Sequence, residues 1–87
     1  MEYAKLPAET RRSAMLYIEH GQPPGGFLSA LFSNDLLGTY GKADPDNRAA
    51  LAEWCQFIFN ETPHGCHGSA SKVSRWIEQG GLKGGAS

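Results

Sequence analysis

Gly25-Gly26-Phe27-Leu28-Ser29-Ala30-Leu31-Phe32-Ser33-Asn34-Asp35-Leu36 is the stretch on which the fold turns. It follows Pro23-Pro24, which cannot continue a preceding helix, so Gln22 through Gly26 must form a tight connector. Read as one helix over 26–40, it projects Phe27, Leu28, Leu31, Phe32 and Leu36 onto one arc. At about 100° per residue Asp35 falls inside that arc, between Leu31 and Leu28, and Asn34 lies just beyond its edge. The expectation is a central helix with an acid on its buried face. A carboxylate there must be hydrogen-bonded, paired with a cation or protonated.

The segments on either side carry helix punctuation. Upstream, Leu6-Pro7-Ala8-Glu9 reads as a helix start, with proline pre-organised for the first turn and Glu9 suited to the positive helix end. That helix runs to about His20, stops at Gly21, and turns Ala14, Tyr17 and Ile18 to one face. Downstream, Asp44 is an N-cap and Pro45 a first helical residue. The helix they open carries Ala50, Leu51, Trp54, Cys55, Phe57, Ile58 and Phe59 over more than half its circumference, with Asn47 also pointing into the apolar arc. Glu61-Thr62-Pro63 ends it, and His64 to Gly68 makes a small polar loop. Ser69 caps a last helix bearing Val73, Trp76 and Ile77, stopped by Gly80-Gly81. No stretch alternates as a strand does. The sequence therefore predicts an all-α fold, a compact single domain (1–82) of about four short helices joined by Pro/Gly turns, with a flexible tail at 83–87.

Composition narrows the function classes. The 87 residues are 40% hydrophobic and 20% charged, the range of a globular domain. Eight basic against nine acidic residues leave a net charge of -1, which argues against general affinity for nucleic acid or anionic membrane. No apolar run approaches the roughly 20 residues of a membrane span. No basic-then-apolar leader opens the chain, and the two cysteines, Cys55 and Cys66, read as reduced thiols in a bacterial cytoplasm.

Among polar residues, Asp35 and Asn47 form the best pair. Read structurally, Asp35 caps a neighbouring helix or bonds Asn47 and fixes how two helices cross. Read functionally, it is a polar notch for a ligand or for a partner's basic residue. One carboxylate makes no acid–base pair, so no catalytic residue is assigned and the protein reads as a non-enzyme. Cys55, His64, Cys66 and His67 include zinc-type ligands, but His64-x-Cys66-His67 is too compressed for spaced ligand pairs; no metal and no cofactor is expected. Gly25 and Gly26 present backbone N–H groups to an anion only weakly, without the strand and longer glycine pattern of a nucleotide loop. Arg11, Arg12, Lys72, Arg75 and Lys83 offer a DNA reading, against a third helix far too apolar for recognition. Phe32, Tyr40, Phe59 and Trp76 are more aromatic side chains than a domain this small need bury, and any left outside would mark a protein contact or a homodimer interface.

From Leu6 to Leu82 the chain resembles a family of small proteins from phages, prophages and other bacterial mobile elements. The resemblance rests on Tyr17-Ile18-Glu19-His20-Gly21, Pro24-Gly25-Gly26-Phe27-Leu28 and Asn34-Asp35-Leu36. It continues through Ala43-Asp44 with Asn47, Phe57-Ile58-Phe59-Asn60 with Pro63, and Cys66-His67-Gly68-Ser69 with Val73 and Trp76-Ile77. His67 stands where the pattern has tryptophan. The resemblance implies an accessory protein that binds a host protein, such as a component of antiviral defence. The alternatives are a binder of an anionic nucleotide and a small DNA-binding regulator. The site expected from the residues is the surface of Pro24, Gly25, Gly26 and Phe27 with Asn34 and Asp35, while Asp44, Asn47 and Ser69 serve as structural polar groups and caps.

Overall fold

The computed structural model describes residues 3–85. Seven α-helices are present among them: α1 (Ala8–His20), α2 (Gly26–Phe32), α3 (Leu36–Lys42), α4 (Pro45–Ala49), α5 (Leu51–Glu61), α6 (Ala70–Gln79) and α7 (Gly81–Gly85), with a 3-10 turn at His64–Cys66. No strand occurs among the described residues, and the all-α class stands. The radius of gyration, 11.8 Å, matches the ~12 Å of a single compact domain of this length.

The helix expected over 26–40 is two helices, and the reason is local. Asn34 takes a left-handed conformation (φ 65°), which asparagine tolerates better than most residues and which no helix can continue. Asp35 then becomes the N-cap of α3, its Oδ1 accepting from Gly38 N at 3.0 Å. This corrects the position of the acid. Asp35 is exposed on a cap, not buried on a helix face, and Leu36 after it is exposed rather than part of the core. The helix opened by Asp44 and Pro45 begins as expected, with Asp44 Oδ1 accepting from Asn47 N at 2.8 Å. It is interrupted at Ala50 (φ -99°, ψ 14°), which separates α4 from α5.

α1 is the spine. Ala14, Tyr17 and Ile18 are fully buried, as their spacing predicts, and three polar handles tie the other helices to this one. Tyr17 OH donates to the Cys66 carbonyl at 2.6 Å, and Trp76 Nε1 is shared between the Tyr17 and Ile18 carbonyls at 3.1 Å each. Asn47 is the third. It does not meet Asp35; its Nδ2 donates to Thr10 Oγ1 at 2.8 Å and its Oδ1 accepts from Trp54 Nε1 at 3.0 Å. One amide thus joins the first turn of α1, α4 and the largest core residue of α5. A buried tryptophan N–H needs such an acceptor, since leaving it unmade costs about 1–3 kcal/mol.

Around these ties the core is aromatic. Phe27 meets Trp54 edge-on at 5.9 Å between centroids, Trp54 meets Phe57 at 6.4 Å, and Tyr17 lies 4.7 Å from Phe32. Ser69 caps α6 as expected, accepting from Lys72 N at 3.2 Å, and Gly80 ends it in the left-handed region. The chain then makes the turn of α7, helical where a tail was expected from Lys83. Lys83 Nζ reaches Glu19 at 3.5 Å. Ala86 and Ser87, the end of the expected tail, lie outside the described residues.

Candidate interaction surface

The six residues expected to form one site do not line one hollow. Gly25, Gly26 and Phe27 open on a hollow of about 230 Å³ beside α1, shared with Glu9, Lys42 and Asp44. Pro24 is held by its carbonyl, which accepts from Ser29 Oγ at 3.2 Å, and the Phe27 ring is buried against Trp54. Asn34 and Asp35 lie some two helical turns further on, roughly 12 Å along the chain axis, and line different hollows. The glycine turn therefore contributes to packing and to a small hollow of mixed charge. Two carboxylates stand in that hollow with Lys42.

Asn34 and Asp35 instead sit at the mouth of an apolar groove between α3 and α5. Two open hollows of about 450 Å³ and 250 Å³ adjoin there, sharing Leu31, Asn34 and Cys55 as a common wall. The smaller continues along Leu36, Thr39 and Tyr40; the larger runs over Ile58 to Phe59 and His67. Large apolar side chains that line it are exposed: Leu36 is 77% exposed, Tyr40 54% and Phe59 84%; Leu37, next to Leu36 in the chain, is 82% exposed. Of the aromatics expected to compete for the core, Phe32 and Trp76 are buried, while Tyr40 and Phe59 are outside.

The helical register explains this. On α5, Trp54, Phe57 and Ile58 face inward; Cys55 and Phe59 lie on the other side of the same helix. On α3, Thr39 is buried and Leu36 and Tyr40, one turn apart, follow its flank. Leu36 and Leu37 are the residues that reading the sequence as one long helix missed. The signal was present: Asn34-Asp35 is a stop followed by a cap, and it resets the helix phase for everything after it.

Burial pushes the Cys66 thiol up to about 11, which removes it as a nucleophile near neutral pH. His67 is held below the ordinary histidine range, first by burial and then by His64 and Lys72; the two imidazoles lie 6.3 Å apart. No group of three metal-ligating side chains is gathered among the described residues. Every buried side-chain nitrogen and oxygen described has a hydrogen-bond partner. A polar hollow of about 370 Å³ near Lys5, Asp44 and Asp46 is floored by Thr10 and Asn47, which bond each other. Of the cations expected to converge, Arg11 is spent on the Leu6 carbonyl at 2.8 Å and Lys83 on Glu19. No helix of the described residues is long and apolar enough to cross a membrane.

Comparison with known proteins leaves the surface to speak for itself: no family model, curated protein or solved structure matches this chain.

Proposed function

We propose that this protein is a non-enzymatic binding domain that engages another protein through the apolar groove between α3 and α5. The observation that carries this reading is the exposure of Leu36, Tyr40 and Phe59 in the walls of one groove, with Leu37, next to Leu36 in the chain, exposed as well. Four large side chains in this state expose several hundred Å² of apolar surface, the scale at which a patch on a small domain marks a contact site. A free domain gains nothing from holding Phe59 in water. A partner's surface would recover the burial at about 25 cal/mol per Å².

The resemblance to phage and mobile-element proteins supports a host protein as the partner and interference with antiviral defence as the outcome. The test is affinity purification from the lysate of a bacterial host, with the wild-type chain and with a Leu36→Glu/Phe59→Glu variant side by side. Both substituted positions are exposed, so the variant keeps its helical spectrum and melting temperature. A host protein retained in stoichiometric amount by the wild type and lost by the variant supports the reading. Retention by both would move the contact off this groove.

A further inference from the structure

We infer that the occupant of the groove is an amphipathic helix of the partner, presenting a lysine or arginine to Asp35. This rests on the groove being a protein-binding surface and goes on to state what fits it. The walls are themselves helical seams. On α5 the lining positions are Ala52, Cys55 and Phe59, spaced i, i+3, i+7; on α3 they are Leu36 and Tyr40, spaced i, i+4. Those spacings are what one helix shows to a neighbour. The small side chains of Ala52 and Cys55 let a third backbone come close. Two adjoining hollows that share a wall take two successive apolar anchors, the pattern of helix-in-groove recognition. A β-strand has no edge to join, because the described residues contain no strand.

Charge selects the partner further. Asp35 is the one formally charged residue lining the groove; His67, at the far end, is held toward its neutral form. The Asp35 cap uses Oδ1 alone, and its Oδ2 makes no hydrogen bond among the described residues. Arg48, beside Tyr40, is turned to the Ala43 carbonyl at 3.1 Å and lies over the Tyr40 ring at 5.0 Å. Lys72 lies against Gly68, its Nζ 3.5 Å from where a Cβ on that glycine would stand. Neither cation is among the residues that line the groove. A cation carried by a different protein's helix is the complement.

The experiment sorts a displayed library of amphipathic helical peptides against the intact chain, with anchor positions drawn from Leu, Ile and Phe and flanking positions from Lys, Gln and Glu. Enriched peptides are expected to carry lysine within a turn of the anchors. They should bind Asp35→Asn about 5-fold more weakly, the worth of one exposed charge pair. Asparagine caps as well as aspartate, so this variant removes the charge and keeps the helix start. Enrichment indifferent to charge, or equal affinity for Asp35→Asn, overturns the proposal. If such peptides still lose binding to Phe59→Glu, the groove stands as a binding surface and only its assigned occupant fails. Concentration-dependent dimerisation abolished by Phe59→Glu would put a second copy in the groove and likewise overturn the helix. No enriched peptide, with the chain sedimenting as a monomer, overturns the helix as occupant and leaves the groove to the lysate comparison.

Discussion

Gly21 and Gly81 meet backbone to backbone. A Cβ on Gly21 would stand 2.6 Å from Gly81 N, and both residues are left-handed, at φ 70° and 72°. This contact closes the end of α1 onto the turn between α6 and α7, and leaves room for no side chain on either partner. Gly21→Ala and Gly81→Ala are each expected to cost at least about 2 kcal/mol, from left-handed strain of about 1–2 kcal/mol plus the overlap. For a domain of this size that lowers Tm by roughly 10 °C or more. The double variant should cost less than the sum, since one separation relieves both clashes. Thermal melts of the three variants check this; a Tm within a few degrees of wild type would show that the contact does not hold the fold.

Asp35 and Gly38 are coupled. A Cβ at Gly38 would overlap the Asp35 carboxylate that caps α3. Gly38→Ala is therefore expected to gain nothing in the wild type, since displacing the cap costs about what helix propensity returns, about 1 kcal/mol each. In the Asp35→Ala background the obstacle is gone, and the same change should stabilise by up to about 1 kcal/mol through helix propensity. Asp35→Ala alone should cost about 1 kcal/mol, and Asp35→Asn nearly nothing. Urea titrations of the four-member cycle test it, and an equal gain from Gly38→Ala in both backgrounds would count against the cap geometry.

Asn47 answers for a buried partner, Trp54, and a half-buried one, Thr10, at once. Asn47→Ala leaves Trp54 Nε1 without an acceptor and Thr10 Oγ1 without its donor, for an expected loss of about 2–4 kcal/mol. Thr10→Val removes only the outer bond and should cost about 1 kcal/mol. Equal losses for the two variants, measured by chemical denaturation, would mean that the Trp54 bond contributes little.

Alkaline pH should unfold the protein earlier than its carboxylates and lysines alone would suggest. Burial raises Cys66 from 9.0 to about 11, and burial followed by the nearby Cys66 raises Tyr17 above its ordinary 10.0. Both groups are neutral when protonated, so between the unfolded and folded values the native state binds more protons. Stability is then full below about pH 9 and falls as pH rises through the range from 9 to 11 and beyond. Tyr17→Phe loses the bond to the Cys66 carbonyl and should be less stable at pH 7, with a shallower decline above pH 10. A parallel decline in wild type and variant would mean that Tyr17 ionises in the fold as freely as out of it.

Local chemistry determined much of this protein from sequence alone. Gly21, Asp44 with Pro45, Ser69 and Gly80 start or stop helices by their own φ preferences and by hydrogen bonds spanning three or four residues, which need no distant partner. Asn34-Asp35 belongs with these signals: it is a stop and a cap, legible once the apolar run is not assumed to be one helix.

Phe57 and Phe59 show where such signals end. They lie two residues apart on one helix, are chemically identical and fall about 200° apart around the axis. Phe57 is buried between Tyr3 and Trp54, while Phe59 stands 84% exposed at the groove. Burial is a property of what arrives from elsewhere, and the Asn47 tie from α1 to Trp54 sets which flank of α5 faces the core. The helices were written locally; only their packing decided which apolar face was left for a partner.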